Sequence, residues 1–284
     1  MSMPVYGQRS NANAAPECPR HPGVRSVDYC KRCNRPMCVE CVVPTEVRSI
    51  CVDCSGRARR PISRRGPVVT YAIIAACLLA FLVGFGSNSA YSAMLFTPGL
   101  GLAEPWRFLT TAFLHSGIFH IVFNMVALYS VGTVLEPVLG HWRYAFLYAL
   151  SAVGGSAAVL AWGIVEPATL MGGTVGASGA VFGLFGAVFV LQKASGADTR
   201  AIIGLLVVNL LYGFIGANIS WQAHLGGLIT GVLVSWAFLR QGRPRPGVTA
   251  KSQQRREVLV TAAMGAAMLA LIALIYRVIF EVVG

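Results

Sequence analysis

Charge is scarce in this chain. Only 12% of its 284 residues are charged, with 11 acidic against 23 basic, whereas soluble domains carry roughly a quarter. Beside a hydrophobic content of 55%, that deficit excludes an ordinary soluble enzyme and points to apolar runs that cross a bilayer. No apolar run carries paired acidic or basic residues, which counts against a path for ions or solutes. Also missing is any apolar stretch within the first 60 residues, so no secretory leader is expected. Cysteine is nearly absent after position 54: seven of the eight lie between Cys18 and Cys54, and Cys77 sits in an apolar run as a small buried residue. Without a leader the N-terminal segment is expected to stay in the cytosol, where clustered thiols hold metal rather than disulfides.

The positive charge is concentrated. Twelve of the 23 basic residues lie between Arg9 and Arg65, and six more between Arg240 and Arg256. Clusters beside membrane spans read as cytoplasmic retention signals rather than as a nucleic-acid surface, so no nucleic acid is expected as a partner.

Composition divides the chain. Residues 1–16 read as a disordered start, 17–55 as a compact Cys/His unit and 56–67 as a basic linker. Apolar segments follow at about 68–86, 117–136, 142–163, 178–192, 201–216, 221–239 and 258–280. The fold expected is all-α, a polytopic membrane bundle of seven helices: a core over 68–240, a polar cytoplasmic loop over 241–257 and a last helix within 258–284. The run 178–192 is the shortest and needs neighbours or a water-filled space at one end. Placing the N-terminus inside puts Arg143, Lys193, Arg200 and the six basic residues of 240–256 on the inner side, as the positive-inside rule requires. The C-terminus is then outside. The long connection 87–116 contains Trp106, Pro and Gly and reads as a segment lying in the outer interface.

Polar and ionisable residues inside spans are functional candidates. Here they are His120, Asn124, Glu136, Ser178, His224 and Arg277. Glu136 and Arg277 lie near span ends and are expected to reach an interface. Ser178 lies in Gly176-Ala177-Ser178-Gly179 where an apolar helix begins. A serine there is commonly a cap, but Gly176 lets backbone amides approach a substrate carbonyl, and helix N-terminal amides favour an oxyanion. Gly179, Gly183 and Gly186 form a smooth stripe. His224, in Ala223-His224-Leu225-Gly226-Gly227, shares a helix face with Gly227 and Gly231, so the two faces can meet at matching depth. A Ser–His hydrogen bond is then open to them, with the imidazole as base and then acid. His120 and Asn124, four apart, offer two donors at one depth, as an oxyanion hole needs. Helix–helix hydrogen bonds or a metal site are the competing readings.

Together these residues resemble the rhomboid family of intramembrane proteases. The match rests on GASG around Ser178, AHLGGLITG over 223–231, His120-xxx-Asn124, and Trp106-Arg107 ahead of the second span, covering roughly residues 68–240. Six core spans plus a C-terminal seventh is a variation known in that family. The resemblance implies a dyad without an acidic third member: Ser178 as nucleophile, His224 as base, and the Ser178 amide, His120 and Asn124 around the oxyanion. It implies that Phe182, one turn after Ser178, packs on the imidazole; relatives carry Tyr or Phe there, and Phe excludes a hydroxyl role. Glu136 and Arg107 match structural positions.

The Cys/His unit holds four pairs: Cys18-xx-His21, Cys30-xx-Cys33, Cys38-xx-Cys41 and Cys51-xx-Cys54. Eight ligands suffice for two tetrahedral zinc ions, and full ligation makes them structural, with folding dependent on metal. The spacing resembles B-box-like cross-brace fingers. That likeness implies Cys18, His21, Cys38 and Cys41 on one ion and Cys30, Cys33, Cys51 and Cys54 on the other; a sequential pairing is the alternative.

The function expected is cleavage of transmembrane proteins near the outer face of the bilayer, with no cofactor for the chemistry and a cytosolic protein as partner of the zinc unit. The plasma membrane is the expected location. Two rival readings are an inactive rhomboid-like protein that binds membrane clients and a zinc-finger membrane adaptor or transporter.

Overall fold

A computed structural model of the chain describes residues 15–44, 49–55, 66–215, 219–241 and 250–283. Most of the expected disordered start, most of the basic linker and half of the loop 241–257 lie outside the described residues. The chain divides into two compact units.

The N-terminal unit consists of three antiparallel strand pairs. β1 (Glu17–Cys18) pairs with β2 (His21–Arg25), β3 (Asp28–Tyr29) with β4 (Pro36–Met37), and β5 (Val42–Pro44) with β6 (Ser49–Cys51). Hairpins this short are not stable alone. What they bury is mainly sulfur: Cys18, Cys30, Cys38, Cys41 and Cys51 surround Met37.

The second unit is helical. In chain order it contains α1 (Val68–Gly86), α2 (Asn88–Met94), α3 (Arg107–Thr110), α4 (Ile118–Leu139), α5 (His141–Trp162), α6 (Ser178–Ser195), α7 (Arg200–Ile215), α8 (Trp221–Gln241) and α9 (Ala250–Val282). Six of these are long and apolar enough to cross a membrane: α1, α4, α5, α6, α8 and the Ser252–Val282 portion of α9. The seventh apolar helix, α7, has 16 residues. The chain is therefore a multi-pass integral membrane protein. The short member of the set is α7 rather than the run beginning at Ser178, because α6 continues through the helix formers Gln192 and Lys193 to Ser195.

The centre is built by α5, α6 and α8, with Leu147, Ala152, Ala180, Leu184 and Val234 in one buried cluster that reaches α1 and α4. Leu79, Leu82, Phe123 and Leu233 are exposed on the outside of the bundle, where lipid tails would cover them.

One charged residue, Glu136, is placed differently from expectation. Glu136 does not reach an interface; it is fully buried. Its carboxylate accepts the backbone N–H groups of Val69 and Thr70 at 2.9 and 2.8 Å and the Thr70 hydroxyl at 2.7 Å, and lies 2.6 Å from His141 Nδ1. Those amides are orphan donors at the start of α1, so a side chain of α4 caps a different helix. Arg107 is also buried. It donates to the carbonyls of Ser92 and Leu95 and pairs with Glu104, tying the end of α2 to the start of α3. The connection 87–116 is thus a folded clasp of short helical turns, and Trp106 closes it by donating to the Ala93 carbonyl at 3.1 Å. Arg277 stays exposed and pairs with Glu281 one turn on at 2.9 Å.

Candidate active site

Ser178 is the first residue of α6. The segment leading into it runs alongside the 87–116 clasp: Phe96 and Thr174 exchange backbone hydrogen bonds at 3.1 and 2.8 Å, and the Gly176 amide donates to the Thr111 carbonyl at 3.0 Å. The Thr111 hydroxyl donates to the Thr174 carbonyl. Gly176 has φ +134, a conformation that glycine adopts without strain. A Cβ at Gly176 would stand 2.9 Å from His120 Nε2 and 3.5 Å from Ser178 Oγ, so this glycine keeps open the space between those two side chains.

His224 lies in the first turn of α8. Close helix approach carries it to the serine. A Cβ at Gly227 would fall inside the contact distance of the Gly179 carbonyl, and one at Gly231 inside that of the Gly183 carbonyl. With backbone against backbone, His224 Nε2 sits 2.9 Å from Ser178 Oγ. The Phe182 ring stacks on the imidazole at 4.3 Å and 10°. His224 Nδ1 is buried without a hydrogen-bond partner among the described residues, and Gly213 of α7 faces it. A hydroxyl and an imidazole nitrogen at this separation can pass a proton.

His120 and Asn124 stand one turn apart on α4. The Ser116 backbone N–H and hydroxyl lie 3.4 and 3.0 Å from His120 Nδ1. A backbone amide can only donate, so Nδ1 is the acceptor and the proton belongs on Nε2, the atom beside Gly176 and Ser178. Ser116 was not among the residues singled out from sequence, although its spacing of four from His120 is the signal that would have found it. Asn124 donates one amide hydrogen to the His120 carbonyl at 2.9 Å, which leaves its second hydrogen free for another acceptor. His120, Asn124, Gly176, Ser178 and His224 all line one cavity of about 890 Å³, whose walls continue along α4 and α7.

The Cys and His residues of the N-terminal unit come together as two groups, Cys18, His21, Cys38 and Cys41, and Cys30, Cys33, Cys51 and Cys54, with ligand atoms within 4.8 Å of one another. The pairs are interleaved, first with third and second with fourth. Four sulfurs around one ion at ~2.3 Å stand about 3.8 Å apart; the Cys18–Cys41 and Cys33–Cys51 sulfurs are 3.7 and 3.6 Å apart. Burial alone would raise the Cys18 and Cys30 thiols, but backbone amides outweigh it and bring each down to about 6. Burial and neighbouring thiols push Cys41 up to about 12. Sulfurs that hold back one another's ionisation are what a dication between them relieves, so the groups fit metal ions. All eight cysteines are free thiols.

A family profile for the rhomboid domain matches residues 102–241. The "Rhomboid protease GluP" of Bacillus subtilis (strain 168) is 32% identical over 211 residues, 70% of this chain. The "Putative rhomboid protease YdcA" of the same organism is 34% identical over 191 residues, 63% of this chain. "RHOMBOID-like protein 1" of Arabidopsis thaliana is 36% identical over 143 residues, 48% of this chain. The chain spans 92% of the length of YdcA, but 40% of GluP and 35% of the Arabidopsis protein.

Proposed function

The chain belongs to the rhomboid family, and we propose from that premise that it is an intramembrane serine endopeptidase that cleaves transmembrane proteins near the outer face of the bilayer. The observation that carries the reading is the 2.9 Å approach of His224 Nε2 to Ser178 Oγ inside a cavity between helices. His224 takes the hydroxyl proton as Ser178 Oγ attacks the scissile carbonyl. The oxyanion is held by the Ser178 amide, by His120 Nε2–H and by the second Asn124 amide hydrogen. His224 then passes its proton to the leaving amine, and a water it deprotonates hydrolyses the acyl-serine. The stacked Phe182 ring orients the imidazole where other proteases use a carboxylate. The chemistry needs no cofactor. Labelling of the detergent-purified protein by a fluorophosphonate, lost in Ser178→Ala, tests the reading. A wild-type protein that binds membrane clients but neither takes the label nor cleaves is an inactive relative, and the proposal falls.

His120→Ala and Asn124→Ala are each expected to lower turnover roughly 10- to 1000-fold while Ser178 stays reactive toward small covalent probes. Wild-type turnover in both variants would make these two residues packing groups.

For the N-terminal unit we propose two structural zinc ions held by the two groups of four, with the N-terminus in the cytosol, the C-terminus outside and a cytosolic protein as the unit's partner. Bound zinc supplies folding energy that the short hairpins lack. Deleting residues 1–56, or adding a chelator, is expected to unfold this unit alone and leave cleavage of a generic membrane substrate near its original rate. Turnover by full-length and truncated enzyme, with and without chelator, is the measurement; loss of turnover in a well-folded truncated core would make the zinc unit part of the catalytic machinery.

A further inference from the structure

The last helix, α9, has no part in the chemistry proposed above, yet its contacts lead to the serine. Tyr276 of α9 is buried, and its hydroxyl donates to the Pro98 carbonyl of the 87–116 clasp at 2.6 Å. The fit is close: a Cβ at Gly101 would fall within contact distance of that hydroxyl and 2.8 Å from the Phe108 ring. Ile275, Tyr276 and Ile279 share one buried cluster with Phe96 and Phe108. Phe96, fully buried, is the residue whose backbone pairs with Thr174, four residues before Ser178. Thr111, on the same clasp, holds the Gly176 amide at 3.0 Å. An unbroken series of contacts therefore runs from α9 through the clasp to the segment that sets Gly176 and Ser178.

We infer that α9 braces the nucleophile segment, and that Tyr276 is the positioning residue through which it does so. This inference rests on the proposed function. The clasp is made of short helical turns held by their own hydrogen bonds, and α5 fixes its later part through the Ser156 hydroxyl on the Phe108 carbonyl and the Tyr148 hydroxyl on the Ala112 carbonyl; at Pro98 the side-chain hydrogen bond to the clasp comes from α9. The Tyr276 hydroxyl fixes the clasp at Pro98, and the Phe96–Thr174 bridge passes that restraint to the residues around the oxyanion. Tyr276 lies outside the cavity that would receive substrate. Its loss should weaken interactions made only in the transition state and leave ground-state binding intact, which appears in kcat and not in KM.

Tyr276→Phe removes one hydroxyl and leaves the Pro98 carbonyl without its partner. It is expected to lower kcat about three- to ten-fold at unchanged KM, and to slow fluorophosphonate labelling of Ser178 by a similar factor. Tyr276→Ala should do both more strongly. Amide hydrogen exchange supplies a readout independent of activity: the amides of Phe96, Thr174 and Gly176 should exchange faster in both variants. Leu274→Ala, at an exposed position of α9, serves as the control and should match wild type throughout. Wild-type kcat and labelling in Tyr276→Phe and Tyr276→Ala, or unchanged exchange at those three amides, would overturn the brace while leaving the protease reading in place. A wild-type protein that neither cleaves nor takes the label would overturn the protease reading first, and the positioning role with it.

Discussion

Ser178→Ala and His224→Ala are each expected to bring cleavage of a single-span membrane substrate down to background, a loss of about 10⁵- to 10⁶-fold. Expression and thermal stability should stay at wild-type values. The size follows from the geometry: Oγ and Nε2 are 2.9 Å apart, and in the proposed acyl transfer neither atom does its part without the other. The double variant should be no worse than either single one, because two groups that act as a unit are lost together. Product formation from a purified substrate over hours is the measurement. Substantial turnover by Ser178→Ala would sink the mechanism, and residual turnover in the double variant well below that of both singles would show that the two residues contribute separately.

The second large effect is expected at the helix crossing. Gly227→Ala puts a methyl group inside contact distance of the Gly179 carbonyl, and a backbone carbonyl cannot rotate aside as a side chain can. Overpacking of this kind costs about 1–3 kcal/mol. The relief open to the helices is to move apart, which carries His224 away from Ser178. Misplacement by about 1 Å costs roughly 10²-fold in rate, so turnover should fall at least that far, together with a lower melting temperature in detergent. Gly265→Ala is the contrast, since a Cβ there meets nothing within 4 Å and should change neither quantity. Wild-type turnover in Gly227→Ala would mean that the crossing tolerates separation and does not set the distance between the two side chains.

Much of the molecule is legible in its sequence where the signal is local. Apolar runs declare the spans because every residue facing lipid must be apolar, and glycines spaced by three and four declare the α6–α8 contact because only small residues allow backbones to meet. The two groups that could hold metal ions are legible because Cys and His paired at this spacing and clustered in one short segment point to such sites. What escaped depends on partners distant in the chain. Glu136 looked like a residue able to reach water, because nothing near it in sequence reveals that the amides it caps belong to Val69 and Thr70. The hydrogen bonds that fold the 87–116 connection were hidden too, because its Arg107 bonds to backbone carbonyls, and backbone acceptors leave no trace in the identity of residues. The end of α6 at Ser195 was equally hidden, because apolar composition does not record where a helix stops.

The capping of α1 by Glu136 also sets an order of events during synthesis. The residue that satisfies the Val69 amide lies 67 positions later in the chain. At about 5–20 residues per second the ribosome needs roughly 3–13 s to reach it. Through that interval the first span waits with its leading amides turned toward water, headgroups or the insertion machinery. Its Val69 and Thr70 amides gain the Glu136 carboxylate only when α4 has been made. A nascent chain arrested before Glu136 should therefore leave the Val69 and Thr70 amides open to hydrogen exchange, and release from arrest should protect them.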